Sequence, residues 1–378
     1  MDLYLFHADR YQQLYNCSYD VNQVPFEDRQ HIALGTMFIT LAGIMELLYI
    51  PCTFAIWKHR ENGCYKIMFY IAVTDMMAML MNGIATGWLA IIGAVFCTHP
   101  NLTYILGAYG MSLWGAESTA ELILALNRCM EICSPAMADI LFSGYRTWLW
   151  LMLPSIYGLY WFFFTMPHPF SGIYVSWFFN PHMGYQEDLD KIYYNNVHDF
   201  HNYVVVTVIM GTYMAFSILL IMKTYKFKSS TQQSYSQKMT FIQVVLISSI
   251  NAFAAGIYVY MQYFKISKAL IVIGQLSWLF AHGIPSLIYL CLNKTIRKDC
   301  LKMTTGVISQ ITGKSIMQTS TTRMLNTTNV RTIGGGRINM ATASRHGGMS
   351  RVVPTNSTMN TTPTNNGERQ ENEGQEKI

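Results

Sequence analysis

Seven stretches of this chain are long and apolar enough to cross a hydrocarbon core of about 30 Å, which takes roughly 20 helical residues. They run Ile32–Trp57, Ile67–Gly93, Tyr104–Leu126, Thr147–Met166, Tyr203–Met222, Phe241–Tyr263 and Ala269–Leu292. Inside a bilayer no water is present to satisfy backbone N–H and C=O groups, so such runs must be helical. Charge is scarce to match: 12% of the 378 residues are charged, about half the share of a soluble domain. The sequence therefore predicts an all-α membrane protein built as a seven-transmembrane helix bundle.

Lys and Arg near the span ends set the orientation. With the N-terminus outside, the inner segments hold 13 of them and the outer segments five. The third inner loop alone contributes Lys223, Lys226, Lys228 and Lys238. The first thirty residues lack a basic region followed by an apolar core, so no cleaved signal peptide is expected. Four regions follow: an extracellular arm (1–31), the bundle (32–292), a membrane-surface helix (293–303) and a cytoplasmic tail (304–378). The third is basic with scattered apolar residues, which suits an amphipathic helix on the inner leaflet. The tail is rich in Thr, Ser, Asn and Gly with almost no aromatics. It buries too little apolar surface to offset its conformational entropy and is expected to be disordered.

Four acids interrupt the spans: Glu46, Asp75, Glu117 and Glu121. Each costs at least roughly 2.5–3.5 kcal/mol to insert and must face the bundle interior or water. They read either as an ion- or water-linked switch, with Asp75 the foremost candidate, or as structural polar contacts between helices. Arg128 sits one residue past the third apolar run, where ordinary positive-inside topology would also put an arginine. Under the expected orientation only Cys17 and Cys97, of eight cysteines, face the oxidising side. By elimination they form a bridge, or else remain two free thiols. Cys300, on the basic stretch after the seventh span, is a palmitoylation candidate. Asn16-Cys17-Ser18 and Asn101-Leu102-Thr103 are glycosylation sequons on outer segments, the second very close to a span. The tail sequon at Asn326 faces the cytoplasm.

The longest connection, about 167–202, carries Trp177, several Phe and Tyr, and His168, His182, His198 and His201. It reads as an aromatic lid over a ligand cavity. The alternative is a metal pair at His198 and His201, for which a third ligand is missing. Met76, Met77, Met79 and Met81 read as helix packing first and adaptable pocket wall second. No HExxH, GxSxG or phosphate-loop motif occurs, no central lysine in the seventh span could carry retinal, and no cofactor is implied. No basic patch interleaved with aromatics suits nucleic acid.

Three segments resemble motifs of rhodopsin-like G-protein-coupled receptors. Ile71-Ala72-Val73-Thr74-Asp75 is similar to the second-span motif ending in Asp. Asn127-Arg128-Cys129 is similar to the third-span Asp/Glu-Arg-Tyr motif with only the Arg kept. Pro285-Ser286-Leu287-Ile288-Tyr289 is similar to Asn-Pro-x-x-Tyr, with Tyr one residue late and Asn missing. The sixth span lacks the usual proline, and the second outer loop lacks the usual cysteine. A divergent subfamily fits these departures. Tyr15-Asn16-Cys17-Ser18, Tyr49-Ile50-Pro51-Cys52, the run LNRCME from Leu126 and the ending HGIPSLIYLCLNKTIR from His282 resemble the nematode serpentine chemoreceptors of class T (Srt), over about residues 11–300.

That resemblance implies a receptor in the plasma membrane, in a sensory cilium in this family, that binds a small-molecule cue and activates a heterotrimeric G protein. It implies that Arg128, Asp75, Tyr289 and Pro285 belong to the activation switch. Asn127 removes the carboxylate that usually restrains the arginine, a role open to Glu131 one turn later. A kinase and an arrestin are the expected partners of the Ser/Thr-rich tail. Two rivals come from other classes. A ligand-gated channel of the arthropod type would have its N-terminus inside, against the charge count. A small secondary transporter would show repeated halves with broken helices at matched positions, which Pro51, Pro154 and Pro285 do not form.

Overall fold

The computed structural model describes residues 1–18, 21–226, 231–264 and 267–312. Its long helices are α1 (Ile32–Lys58), α2 (Gly63–Ile91), α3 (Pro100–Cys133), α4 (Arg146–Phe164), α5 (Asn196–Lys226), α6 (Thr231–Tyr263), α7 (Lys268–Leu292) and α8 (Lys294–Thr312). Among the described residues, four meet a strict requirement of length and apolarity for crossing a membrane: α1, with the turn before it, α2, α5 and α7. α3 is made more polar by Glu117, Glu121, Arg128 and Glu131, and the three Trp and two Tyr of α4 lower its hydropathy. α6 contributes the apolar stretch Val245–Met261.

Burial runs opposite to that of a soluble bundle. Large apolar side chains face outward, among them Leu47 and Phe54 on α1 and Leu149, Met152, Ile156 and Leu159 on α4. Polar groups lie inside: Asp75, Asn82, Gln275 and Ser286 are fully buried. A helix apolar on its outer side and polar within has hydrocarbon as its expected solvent. α3 is the central strut and packs on α2, α4 and α5, while α7 closes the bundle against α1, α2 and α6.

Helix contact depends on small residues where backbones come close. A Cβ built on Gly35 would lie 2.4 Å from the Gly87 carbonyl oxygen, and the converse holds for Gly87, so α1 and α2 touch backbone to backbone there. α2 widens into a π-turn over Leu80–Ala85. The Asn82 carbonyl in this turn accepts a hydrogen bond from Gln275 Nε2 of α7 at 3.0 Å.

The connection between α4 and α5 folds into a hairpin of β1 (Phe170–Ser171) and β2 (Ser176–Trp177), with Phe170 opposite Trp177. It is inserted rather than draped. Trp177 donates from Nε1 to Thr86 at 2.8 Å, and Ser176 donates to Gln275 Oε1 at 3.2 Å. Val175 at its tip has φ of +53°, a left-handed conformation that a β-branched residue adopts only under strain.

α8 turns Ile296, Asp299, Cys300 and Met303 inward, one helical face. Its Asp299 accepts from Lys58 and pairs with His59, each at 2.7 Å, at the end of α1. Two expectations change here. α8 continues to Thr312, so residues 304–312, expected to begin the tail, are helical. The acylation candidate Cys300 is 4% exposed and packed in the cluster that contains Cys52. Its thiol is on the protein-facing side of α8, away from lipid. The remaining tail, its sequon at Asn326, and Lys228 and Lys265 lie outside the described residues.

Candidate functional site

Three titratable side chains from three helices meet in the middle of the bundle. Asp75 of α2, Glu117 of α3 and His282 of α7 are at most 1% exposed. His282 Nδ1 bonds Asp75 Oδ1 at 3.0 Å and lies 2.8 Å from Glu117 Oε2. Tyr49 of α1 donates to the other Asp75 oxygen. One turn inward on α3, Glu121 accepts from Asn251 Nδ2 of α6 at 2.5 Å. Five helices are thus joined through polar groups that hydrocarbon would leave unsatisfied. Glu46, the fourth acid read from the sequence, stays half-buried and outside this cluster.

The ligand atoms of Asp75, Glu117 and His282 lie within 4.8 Å of one another, the one such grouping found among the described residues. They have the donor set for a cation, but the imidazole already bridges the two acids. His198 and His201 do not form a metal pair. His201 binds Ser118 at 2.9 Å and Tyr157 at 3.1 Å, whereas His198 binds Asn202 at 3.1 Å.

Above the cluster lies a narrow cavity of about 30 Å³, walled by Trp114, His168, Asn202, Ala255, Tyr258 and Trp278 among others. It shares His168, His198 and Tyr258 with a wider chamber of about 800 Å³ beneath the connection between α4 and α5. Two wall rings reach the polar cluster directly. The Trp114 and Trp278 rings stand edge-on to the His282 ring, at 6.5 and 6.3 Å between centroids. Burial pushes the His168 imidazole down to about 3, so it is neutral at physiological pH.

The four residues read as an activation switch do not form one contact. Asp75 belongs to the central cluster. Arg128 lies near the C-terminal end of α3, pairs with Glu131 at 3.3 Å and touches the Met68 sulfur at 3.9 Å. Tyr289 is buried between these levels, and Pro285 is buried within α7. Sequence reading missed His282, Tyr49 and Asn251. A search for every polar group at span depth, rather than for acids alone, would have found them.

Where the N-terminal arm meets the segment between α2 and α3, Cys17 and Cys97 form a disulfide with Cα atoms 5.4 Å apart. It holds the arm against a cage of Tyr4, Tyr11, Tyr15 and Tyr104, stacked and edge-on at 4.9–5.6 Å. Asn16 is half-exposed outside any helix, its side chain accepting from Ser18. Asn101 is also exposed but lies in the first turn of α3, where Thr103 is fully buried and donates back to His99.

Apolar exterior, polar interior and an aromatic cavity at one end fit a multi-pass membrane protein. The family described as serpentine type 7TM GPCR chemoreceptor Srt matches residues 1–313, and the chain belongs to it. Serpentine receptor class T-55 of Caenorhabditis elegans is 27% identical over 294 residues, which cover 76% of this chain and 80% of that protein. Membership makes this a chemosensory receptor of the membrane.

Proposed function

We propose that the chain crosses the plasma membrane seven times with its N-terminus outside, binds a small-molecule cue in the outer cavity and activates a heterotrimeric G protein at its inner face. The observation that carries this reading is the shared wall: Trp114 and Trp278 line the cavity and flank His282 of the polar cluster. A ligand that displaces either ring alters the surroundings of the residue joining α2, α3 and α7. Its differential affinity for two packings of the bundle then shifts their populations.

At the inner face Arg128 is the candidate contact for the G protein, restrained in this packing by Glu131 rather than by an acid at position 127. Asp75, Pro285 and Tyr289 form the route between, with the arm (1–31), the bundle (32–292), the surface helix from 293 and the cytoplasmic tail as its regions. The tail would serve a kinase and an arrestin, and a sensory cilium would be the destination. Arg128→Ala is the direct test, with a C-terminal tag to match surface amounts. The expected result is loss of cue-evoked nucleotide exchange with cue binding retained; unchanged exchange would remove Arg128 from the mechanism.

A further inference from the structure

The narrow cavity and the chamber above it differ in size and chemistry, and that difference specifies a ligand class. At about 30 Å³ the narrow end suits a group of two or three heavy atoms, since one water needs about 10–15 Å³ by this measure. No Asp, Glu, Lys or Arg lines it. Most of its polar atoms already have partners. Trp114 donates to Asn202 at 3.0 Å, Asn202 binds His198 at 3.1 Å, and Tyr258 donates to Gln275 at 3.1 Å. His168 Nδ1 is buried and has none.

The chamber has a ring-rich wall that includes Tyr174, Trp177, Phe178, Phe179 and Phe264. Two carboxylates also line it. Asp188 is occupied by the N–H groups of Ile192 and Tyr193 at 2.8 and 2.9 Å, and Glu187 is exposed to solvent.

We infer that the receptor takes an uncharged, mostly apolar ligand whose short hydrogen-bonding tip enters the narrow end at His168 while its body lies among the rings of the chamber. The inference rests on reading this cavity as the cue site. A charged tip would be stripped of water beside no opposite charge, whereas a hydroxyl or carbonyl supplies the partner that His168 lacks. The imidazole, neutral through burial, accepts or donates according to its tautomer.

The test uses the full chain, purified into lipid nanodiscs, with four probes on one scaffold: 2-phenylethanol, ethylbenzene, 2-phenylethylamine and phenylacetate. Binding is followed by tryptophan emission, since Trp114, Trp177 and Trp278 line the two cavities. The alcohol should bind about fivefold more tightly than ethylbenzene, the worth of one net hydrogen bond. It should bind at least about tenfold more tightly than the amine or the acid. His168→Phe should abolish the preference for the alcohol over ethylbenzene and leave ethylbenzene binding in place. Should that variant fail to fold, Ala255→Val narrows the cavity at another wall and should weaken the alcohol severalfold. Equal or tighter binding of either ion, equal binding of the two neutral probes, or no binding of any probe overturns the inference. No G protein is present in this assay. Alcohol binding without nucleotide exchange in a second assay would refute the signalling reading alone, and exchange driven only by the amine or the acid would refute the ligand class alone.

Discussion

Asp75 lies 26 residues from Tyr49 and 207 from His282, yet both side chains meet it. The two contacts should differ in weight. Tyr49→Phe removes one neutral donor and should cost about 1–3 kcal/mol. His282→Leu removes the ring that lies between two buried acids and should cost about 3–5 kcal/mol. Thermal unfolding in nanodiscs measures both, and an equal, small loss for the two would show that the acids are not held by the imidazole. The acids are legible in the sequence because each breaks an apolar run. His282 breaks one as well, but which helices face each other is set by rotations that the sequence does not state. Cys300 illustrates the same limit: its position on a basic amphipathic stretch is legible, whereas the face it occupies follows from α8 docking on α1.

At the scale of elements, the hairpin and the segment leading to it close the end of the bundle that holds the cavity, with His168 buried beneath. An imidazole held at about 3 binds fewer protons in the folded protein than in the unfolded chain, where its value is about 6.5. Stability therefore rises with pH in this window and is lost as pH falls below about 6.5. At pH 5 the deficit is about 2 kcal/mol. Amide exchange over residues 167–186 should be faster at pH 5 than at pH 7.5 after correction for intrinsic rates, and His168→Phe should reduce the difference, leaving the share of His182, which burial holds at about 4. Exchange with the same corrected rate at both pH values would contradict it. Helix positions were largely legible: α1 and α7 begin within a residue of the apolar runs that predict them. The C-terminal ends of α3 and α8 were not, because both helices continue past the apolar or amphipathic stretch that marks them in the sequence. Nor was the π-turn of α2, whose free carbonyl depends on Gln275 from a distant segment.

For the molecule as a whole, the two sequons report orientation. Asn16, half-exposed and outside a helix, should carry a glycan, and Asn101, whose Thr103 is folded into α3, should not. Asn16→Gln should therefore abolish the mobility shift on glycosidase treatment, and Asn101→Gln should leave it intact. A wild-type chain without glycan would count against an external N-terminus. The same fold also fixes how the interior can rearrange. His282 Nδ1 can carry one hydrogen, and two oxygens compete for it, Asp75 Oδ1 at 3.0 Å and Glu117 Oε2 at 2.8 Å. A modest rotation of one ring would hand that hydrogen from α2 to α3. The centre of the bundle is then a latch with two catches, in which one nitrogen of α7 holds α2 or α3 in turn.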